Sequence, residues 1–531
     1  MIDTGPTARG PDRTPRVRGN DWSILGDPPA DPTLHVTVVM PAYQSHETLD
    51  VALAALAGQT YPSNLLELVV VDDGSSPPLR LPEIRPEHTR LVRAQEDGWG
   101  RAHACHTGAL VAEGDVIHWL DADMVAFPDE VAAHARWQQT ADYVVTIGYK
   151  RFVEPTPLNP AQIRAATSSM ASMFATWERH DWVEDLIDGS DALRAGDHTS
   201  FRAFVGASGA VRRDFYLAAG GMDTMLRLGE DSELGYRLAQ AGAVFVPVQD
   251  AISWHLGAST AQRDAEAVKR YNAPFVTDRM PLPRYRRHAP HRSWSVPLVD
   301  VVLNVADTSY EQGRASADAL LASTVADLRV TLVAPWELVA SDHRPPLADP
   351  RLDLRLIREH IRGEPRVRLL DKPPDSVFPA AFRIELDPRF AVRPGAVKAI
   401  IDHADKRRLG LLRLDVDGVS VGRLVRTAAW SRARRVAVAG EDIDAVLGDV
   451  WGSDVLDLST ESWVVDQRAG DRGAVKALAR AADDADVWRE EASRQRDEAV
   501  RWKREALRRG YGRSAWRWIP TYVFRRGRRS D

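Results

Sequence analysis

Cysteine is almost absent, Cys105 being the only one in 531 residues. An internal disulfide and a cysteine-rich zinc site are therefore excluded, and a reducing compartment or indifference to redox is implied. No apolar run reaches the ~20 residues that cross a bilayer. The opening stretch MIDTGPTARGPDRTPRVRGN lacks the apolar segment of a secretory signal. Basic charge is not in excess either: the formal net charge is −6, which argues against general affinity for nucleic acid. What is present is an ordinary globular composition, 44% hydrophobic and 27% charged. The length allows about two to four domains of roughly 100–200 residues each.

The charge is uneven. Residues 501–531 hold eleven Lys/Arg against Glu505 and Asp531, which leaves the preceding residues at −15. A basic tail on an acidic body implies a partner of its own. Residues 1–33 are rich in Pro, Gly, Asp and Arg and read as a disordered leader. From His35 onward, strand-like runs (HVTVVM, LLELVVVDDG, VIHWL) alternate with Ala/Leu-rich helical runs (Glu47–Ala57, Arg101–Ala112). This alternation predicts an α/β fold with a mostly parallel sheet covered by helices on both faces. Ligands in such sheets lie beyond the carboxyl ends of the strands.

Acids stand at those ends. LVVVDDGS closes on Asp72 and Asp73, VIHWLDADM on Asp121 and Asp123, and RLGEDSELGYRLAQAG opens a helix with Glu230 and Asp231. Leu234, Leu238 and Ala241 give that helix an apolar stripe to dock on the core. One Asp at a turn or cap is ordinary. Three clusters at one kind of position repel each other, and a hard divalent cation with oxygen ligands relieves that repulsion.

The order of these motifs resembles the family-2 glycosyltransferases, with their GT-A nucleotide-sugar-binding fold. VTVVMPAYQSHETLDVALAALAGQTYP is similar to the family's opening strand and helix, VVVDDGS to its nucleotide-reading turn, and GWGRAHACHTGALVAEGD to its Gly-rich segment. LDAD is similar to its D-x-D motif, and FVGASGAVRRDFYLAAGGMD followed by GEDSELGYRLAQAGA to its acceptor-side segment and E-D motif. The resemblance covers about His35 to His255. It implies a metal-dependent, inverting transfer of a sugar from a nucleotide diphosphate, UDP by family habit, to a hydroxyl of a glycan or lipid-linked acceptor in cell-envelope or polysaccharide synthesis. By the same resemblance Asp231 is the general base and Glu230 orients it or the acceptor. Pro41, Ala42, Tyr43, Asp72, Asp73, Arg101 and Asp121 bind the nucleotide-sugar, and Asp123, Asp121 and His255 hold Mn²⁺ or Mg²⁺. His255 is alternatively a loop histidine beside Trp254. His103, His106 and His118 read as structural. His106 and the pair Ala207–Ser208 stand where the family commonly has Asn.

Residues 34–280 are thus expected as the catalytic domain and 281–296 as a basic linker. VDVVLNVADTS then repeats VTVVMPAYQS, and FRIELDPRFAVRPGAV repeats IHWLDADMVAFPDEV. A degenerate second α/β domain of the same kind is expected over 297–465. Its register sets Ala334 and Pro335 opposite Asp72 and Asp73, Pro394 opposite Pro128, Asp387 opposite Asp121 and Arg389 opposite Asp123. An Arg at the metal position repels a cation, so this half is expected to hold no metal and to be inactive. GEDIDAV at Gly440 imitates the E-D motif but is read as a helix cap. Residues 471–509 read as a long amphipathic helix, and 510–531 as a basic aromatic tail that either lies on an anionic membrane or is solvated. A cytoplasmic protein, peripheral at most, is expected. A sugar-nucleotide pyrophosphorylase needs a basic Gly-rich loop where this chain has PAYQSHE. The remaining alternative is a non-catalytic glycan-binding or scaffold protein.

Overall fold

The computed structural model describes residues 14–166, 168–284, 287, 292–339, 345–459 and 464–466. The expected helix at 471–509 and tail at 510–531 lie outside the described residues. The fold is α/β, with two main sheets in succession.

The first sheet comprises β1 (Val36–Ala42), β2 (Leu66–Asp72), β3 (Thr89–Arg93), β4 (Val116–Leu120), β5 (Met124–Ala126), β6 (Val144–Val153), β7 (Glu178–Arg179), β8 (Ser208–Arg212) and β9 (Val244–Leu256). Their order is β3-β2-β1-β4-β8-β6-β9-β5, with β7 on β6. β3, β2, β1 and β4 are parallel, while β8 runs antiparallel to β4 and β6. Val36, Val38, Val39 and Met40 of β1 are all buried, as a strand covered on both faces requires. The registers Ala42↔Asp72 and Val39↔Trp119 align the carboxyl ends of β1, β2 and β4 on one edge.

The second sheet comprises β10 (Val299–Asn304), β11 (Leu328–Val333), β12 (Val367–Leu370), β13 (Phe382–Leu386), β15 (Leu411–Val416), β16 (Val419–Arg426) and β17 (Ser453–Asp457), while β14 (Phe390–Val392) pairs with β18 (Val464–Asp466). Its order, β12-β11-β10-β13-β16-β15-β17, repeats β3-β2-β1-β4-β8-β6-β9, including the antiparallel strand in fifth place. The turns repeat too. Thr60 N donates to Pro128 O (2.8 Å) and Thr324 N to Pro394 O (2.9 Å). Met124 N donates to Asp121 O and Phe390 N to Asp387 O, both at 3.0 Å.

Residues 14–26 correct the expected disordered leader. Asp21 accepts from Ser23 N at the start of a short helix, Trp22–Leu25, and Val17 and Leu25 are buried. Asn20 Nδ2 donates to Leu193 O and Phe245 O, and its Oδ1 accepts from Phe245 N. The segment is held by polar groups rather than apolar bulk, which is why composition alone reads it as loose.

It is also clamped from the second half. The buried Arg432 guanidinium donates to Gly242 O (2.8 Å), Ala243 O (2.6 Å), Val17 O (3.0 Å) and Gly19 O. Gly242 has φ +99°, and a Cβ there would lie 2.7 Å from Arg432 N, so only glycine admits this approach. Tyr236 Oη donates to Pro379 O (2.5 Å), a second tie between the halves. One apolar core runs through both, from Val17 to Leu458. Among the described residues, no helix is long and apolar enough to cross a membrane.

Candidate functional site

The site is built at the carboxyl edge of β1, β2 and β4. Pro41 and Ala42 end β1, and Tyr43, 62% exposed, follows them into solvent. Asp72 ends β2 and is buried. Its carboxylate accepts from Ser75 N (2.8 Å) and Leu79 N (3.1 Å), so it shapes the turn, and Ser75 Oγ in turn accepts from Gln44 N. Burial pushes the Asp72 acid up, but these N–H groups outweigh it and hold the acid below its ordinary range. Asp73 Oδ2 accepts from Gly100 N (2.7 Å), and burial holds its acid above the ordinary range despite that bond.

Gly100 precedes the helix Arg101–Val111, and Arg101 is the hub of the site. Its Nε donates to Asp121 Oδ1 (2.9 Å) and its Nη1 to Glu230 Oε1 (3.2 Å). Gly206, at φ +65°, lies against it: a Cβ there would sit 3.0 Å from both Arg101 Nη1 and Asp231 Cβ. Thus Asp73, Gly100, Arg101, Asp121 and Glu230 form a chain of direct contacts, and Asp231 lies across Gly206 from Arg101. Glu230 and Asp231 begin the helix Glu230–Gln240, which docks through Leu234, Tyr236 and Leu238. Burial and the neighbouring Asp231 push the Glu230 acid up to about 7, against the pull of Arg101. Asp231 Oδ1 accepts from Ser232 N (2.6 Å).

Asp123 sits in the turn between β4 and β5. β5 pairs with β9, Met124 opposite His255, and Leu256 N donates to Asp123 O (3.0 Å). This brings His255 Nε2 to 4.0 Å from Asp123 Oδ2. Burial raises the Asp123 acid, His255 pulls it back and Asp121 pushes it up again. The His255 ring lies against Phe152, and its buried Nδ1 has no hydrogen-bond partner among the described residues. Two carboxylates and an imidazole are a suitable donor set for Mn²⁺.

Lys150 and His180 were missed by sequence reasoning. Lys150 is 5% exposed, and burial pushes its ammonium down to about 8, against the pull of Asp121, Asp231 and Asp123. The available signal was a lysine inside the apolar run VVTIGYKRFV, a pattern that reads equally as a strand edge. His180 stacks edge-on to Phe152, and burial, with Lys150 and His255 nearby, pushes it down to about 3, so it is neutral.

A separate group, His118, Glu130 and His134, has ligand atoms all within 4.8 Å of one another. It lies wholly inside the protein, and apart from His118 Nε2, 3.6 Å from Glu130 Oε1, its groups are engaged. Glu130 accepts from Ser208 Oγ (2.9 Å) and Ser253 Oγ. His134 bonds to Thr146 Oγ1 (2.8 Å) and Ser208 Oγ (3.2 Å), and His118 Nδ1 to Gly209 O (3.1 Å). With burial pushing Glu130 up to about 7, the group reads as a polar tie binding the helix Glu130–Gln138 to β4, β8 and β9. His103 is bonded to Asp97 (2.9 Å) and His106 to Tyr216 Oη (2.8 Å).

Comparison with known proteins follows the same residues. The chain is 25% identical over 407 residues to a chondroitin synthase from Escherichia coli, covering 70% of this chain and 56% of that protein. It is 25% identical over 392 residues to a chondroitin synthase from Pasteurella multocida (strain Pm70), covering 68% and 38%. The chain therefore spans about half or less of the length of these relatives. Among solved structures, the mannosyltransferase PcManGT from Pyrobaculum calidifontis, in complex with GDP-Man and Mn²⁺, aligns at a TM-score of 0.30 with 18% identity, over 48% of this chain and 63% of that one. Residues 37–201, which contain β1, the Asp72–Asp73 turn, Arg101 and the D-x-D turn, match the family described as Glycosyl transferase family 2.

Proposed function

We propose that the chain transfers a sugar from a nucleotide diphosphate to a hydroxyl of a growing glycan or lipid-linked acceptor, with inversion at the anomeric carbon. The observation that carries this is the pair of contacts through which Arg101 gathers Asp121 and Glu230, with Asp231 across Gly206 from it, at the strand edge where a nucleotide would lie. Pro41, Ala42 and Tyr43 wall the base, with Asp73 beside them accepting hydrogen bonds from base and ribose. Asp231 takes the acceptor hydroxyl's proton as that oxygen bonds to the anomeric carbon. The bond from that carbon to the diphosphate breaks, and the nucleoside diphosphate leaves. Glu230, held by Arg101, fixes the acceptor side. Mn²⁺ or Mg²⁺, bound by Asp123 and His255 with Asp121 beside them, supplies Lewis-acid neutralisation of the leaving diphosphate. The relatives' name, chondroitin synthase, favours a glycan acceptor.

The test is donor hydrolysis by the full chain with Mn²⁺ and a panel of UDP- and GDP-sugars. Wild type should release nucleoside diphosphate slowly, and the Asp123→Ala and Asp231→Ala proteins should not. Equal release by all three would refute the reading.

A further inference from the structure

Lys150 lies on β6 opposite Ser253 of β9, two residues before His255. Its ammonium carries three N–H groups. The hydrogen bond in evidence is one, to Val205 O at 3.3 Å. Among the described residues no carboxylate lies within the 4.0 Å of an ion pair from its Nζ. Val205 adjoins Gly206, which touches Arg101 and Asp231, so the ammonium sits at the floor of the acid site. The next residue, Arg151, goes elsewhere: its guanidinium stacks on Trp177 at 4.6 Å.

Asp121, Asp231 and Asp123 act on this ammonium only from beyond ion-pair distance, and a buried cation with no anion in direct contact is unfavourable. A single carbonyl does not offset that burial, and a leucine or methionine would fill the space without the penalty. Asp121 and Glu230 are already engaged by Arg101, so neither is available to close on Lys150. The nearby ring of His180 is neutral and does not compete for an anion.

We infer that Lys150 binds an anionic oxygen of the substrate in this site, either from the donor diphosphate or from the carboxylate of an acidic donor sugar. The inference rests on the function proposed above and adds a residue to it. The ammonium shares the charge of the bound anion, and Val205 O fixes its direction.

The experiment is calorimetric binding of UDP, UDP-glucose and UDP-glucuronate, each with Mn²⁺, to the full chain and to its Lys150→Gln and Lys150→Arg variants. If the diphosphate is the partner, Lys150→Gln weakens all three by about tenfold or more. If the partner is the sugar carboxylate, only UDP-glucuronate weakens by that factor. In either case Lys150→Arg recovers most of the loss, which a purely structural lysine would not require. Unchanged affinities in Lys150→Gln overturn the inference. Should that variant not fold, acetylation of Lys150 in the wild type serves instead. UDP-glucuronate with Mn²⁺ slows it, and an unchanged rate, zero included, overturns the inference. A wild type that binds none of the nucleotides sinks the proposed function itself, whereas binding that ignores Lys150 sinks this inference alone.

Discussion

The two sheets share one strand order and the same turns, but not the same acids. In the first unit the turn after β4 carries Asp121 and Asp123. In the second, the turn after β13 carries Asp387 and Arg389, closed by the same backbone bond at the same 3.0 Å. Arg389 forks onto Asp387, Nη2 to Oδ2 at 2.5 Å and Nε to Oδ1 at 2.9 Å, so a guanidinium stands where the first unit gathers carboxylates. Where β2 ends on Asp72 opposite Ala42, β11 is followed by the buried Ala334, beside Val305. The helix that starts with Glu230 and Asp231 has its counterpart in Ile443–Val450, whose cap Asp442 accepts from Asp444 N (3.1 Å). The fold thus forms without acids at the positions of Asp72, Asp73 and Asp123. In the first unit Asp73, Asp123 and Glu230 sit with raised acids, so stability does not explain their presence there, and chemistry does.

The largest expected effect comes from copying the second unit's residue into the first. Asp123→Arg should lower nucleotide release by about 10²-fold or more, the loss of several kcal/mol of charge stabilisation. Its melting temperature should stay close to wild type, because the equivalent turn already accepts Arg389. A collapse of the fold, seen by circular dichroism, would break the equivalence of the two turns.

The joint between the units is the next target. Arg432 is buried and binds four carbonyls without a carboxylate, and burial pushes its pKa down to about 10, so it remains charged at neutral pH. Arg432→Met leaves those carbonyls unsatisfied and should cost about 3 kcal/mol. Urea unfolding followed by fluorescence should show a lower midpoint and freer proteolysis within residues 14–26. If the midpoint does not move, Arg432 does not hold the two units together, and their apolar contact and the remaining polar ties do.

Glu230 gives a smaller, pH-dependent effect. Its acid is raised in the folded protein to about 7 from 4.5. The folded state therefore holds this proton more tightly than the unfolded one, and its contribution is fully present below pH 4.5 and lost as pH rises through 7. Glu230→Gln removes that loss. The variant should melt a few degrees above wild type at pH 8 and level with it at pH 4.5, by differential scanning fluorimetry without added metal. The opposite ordering would mean that Arg101 outweighs burial.

Much of this contrast was legible in the chain. The α/β alternation and the D-x-D and E-D segments stand out because parallel strands buried on both faces are continuous apolar runs, so the acids at their ends are conspicuous. The repeat could be registered on Pro128 and Pro394, which occupy the same turn and accept the same threonine bond. Residues 14–26 were not legible, because they are held by Asn20 and by a guanidinium more than 400 residues away. Lys150 was hidden for a related reason: a lysine in a strand reads as solvent-facing until the neighbouring carboxylates are placed around it.

The smallest effect is expected from the reverse swap. Arg389→Asp recreates the D-x-D spacing in the second unit, yet it should yield no second active site. Ala334 and Pro335 still stand in for the nucleotide-reading acids, Asp442 is spent as the cap of its helix, and Phe390 pairs across the ladder with Asp466 where Met124 pairs with His255. The lost ion pair is more than half exposed on the Arg389 side, so its removal should cost about 0–1 kcal/mol. Nucleotide release from Arg389→Asp should match wild type, and release from the Asp123→Arg, Arg389→Asp double variant should match Asp123→Arg alone. Any recovery in the double variant would mean that the second unit keeps more of the chemistry than its turn residues allow, and that two carboxylates on this fold suffice without the helix acids and the histidine.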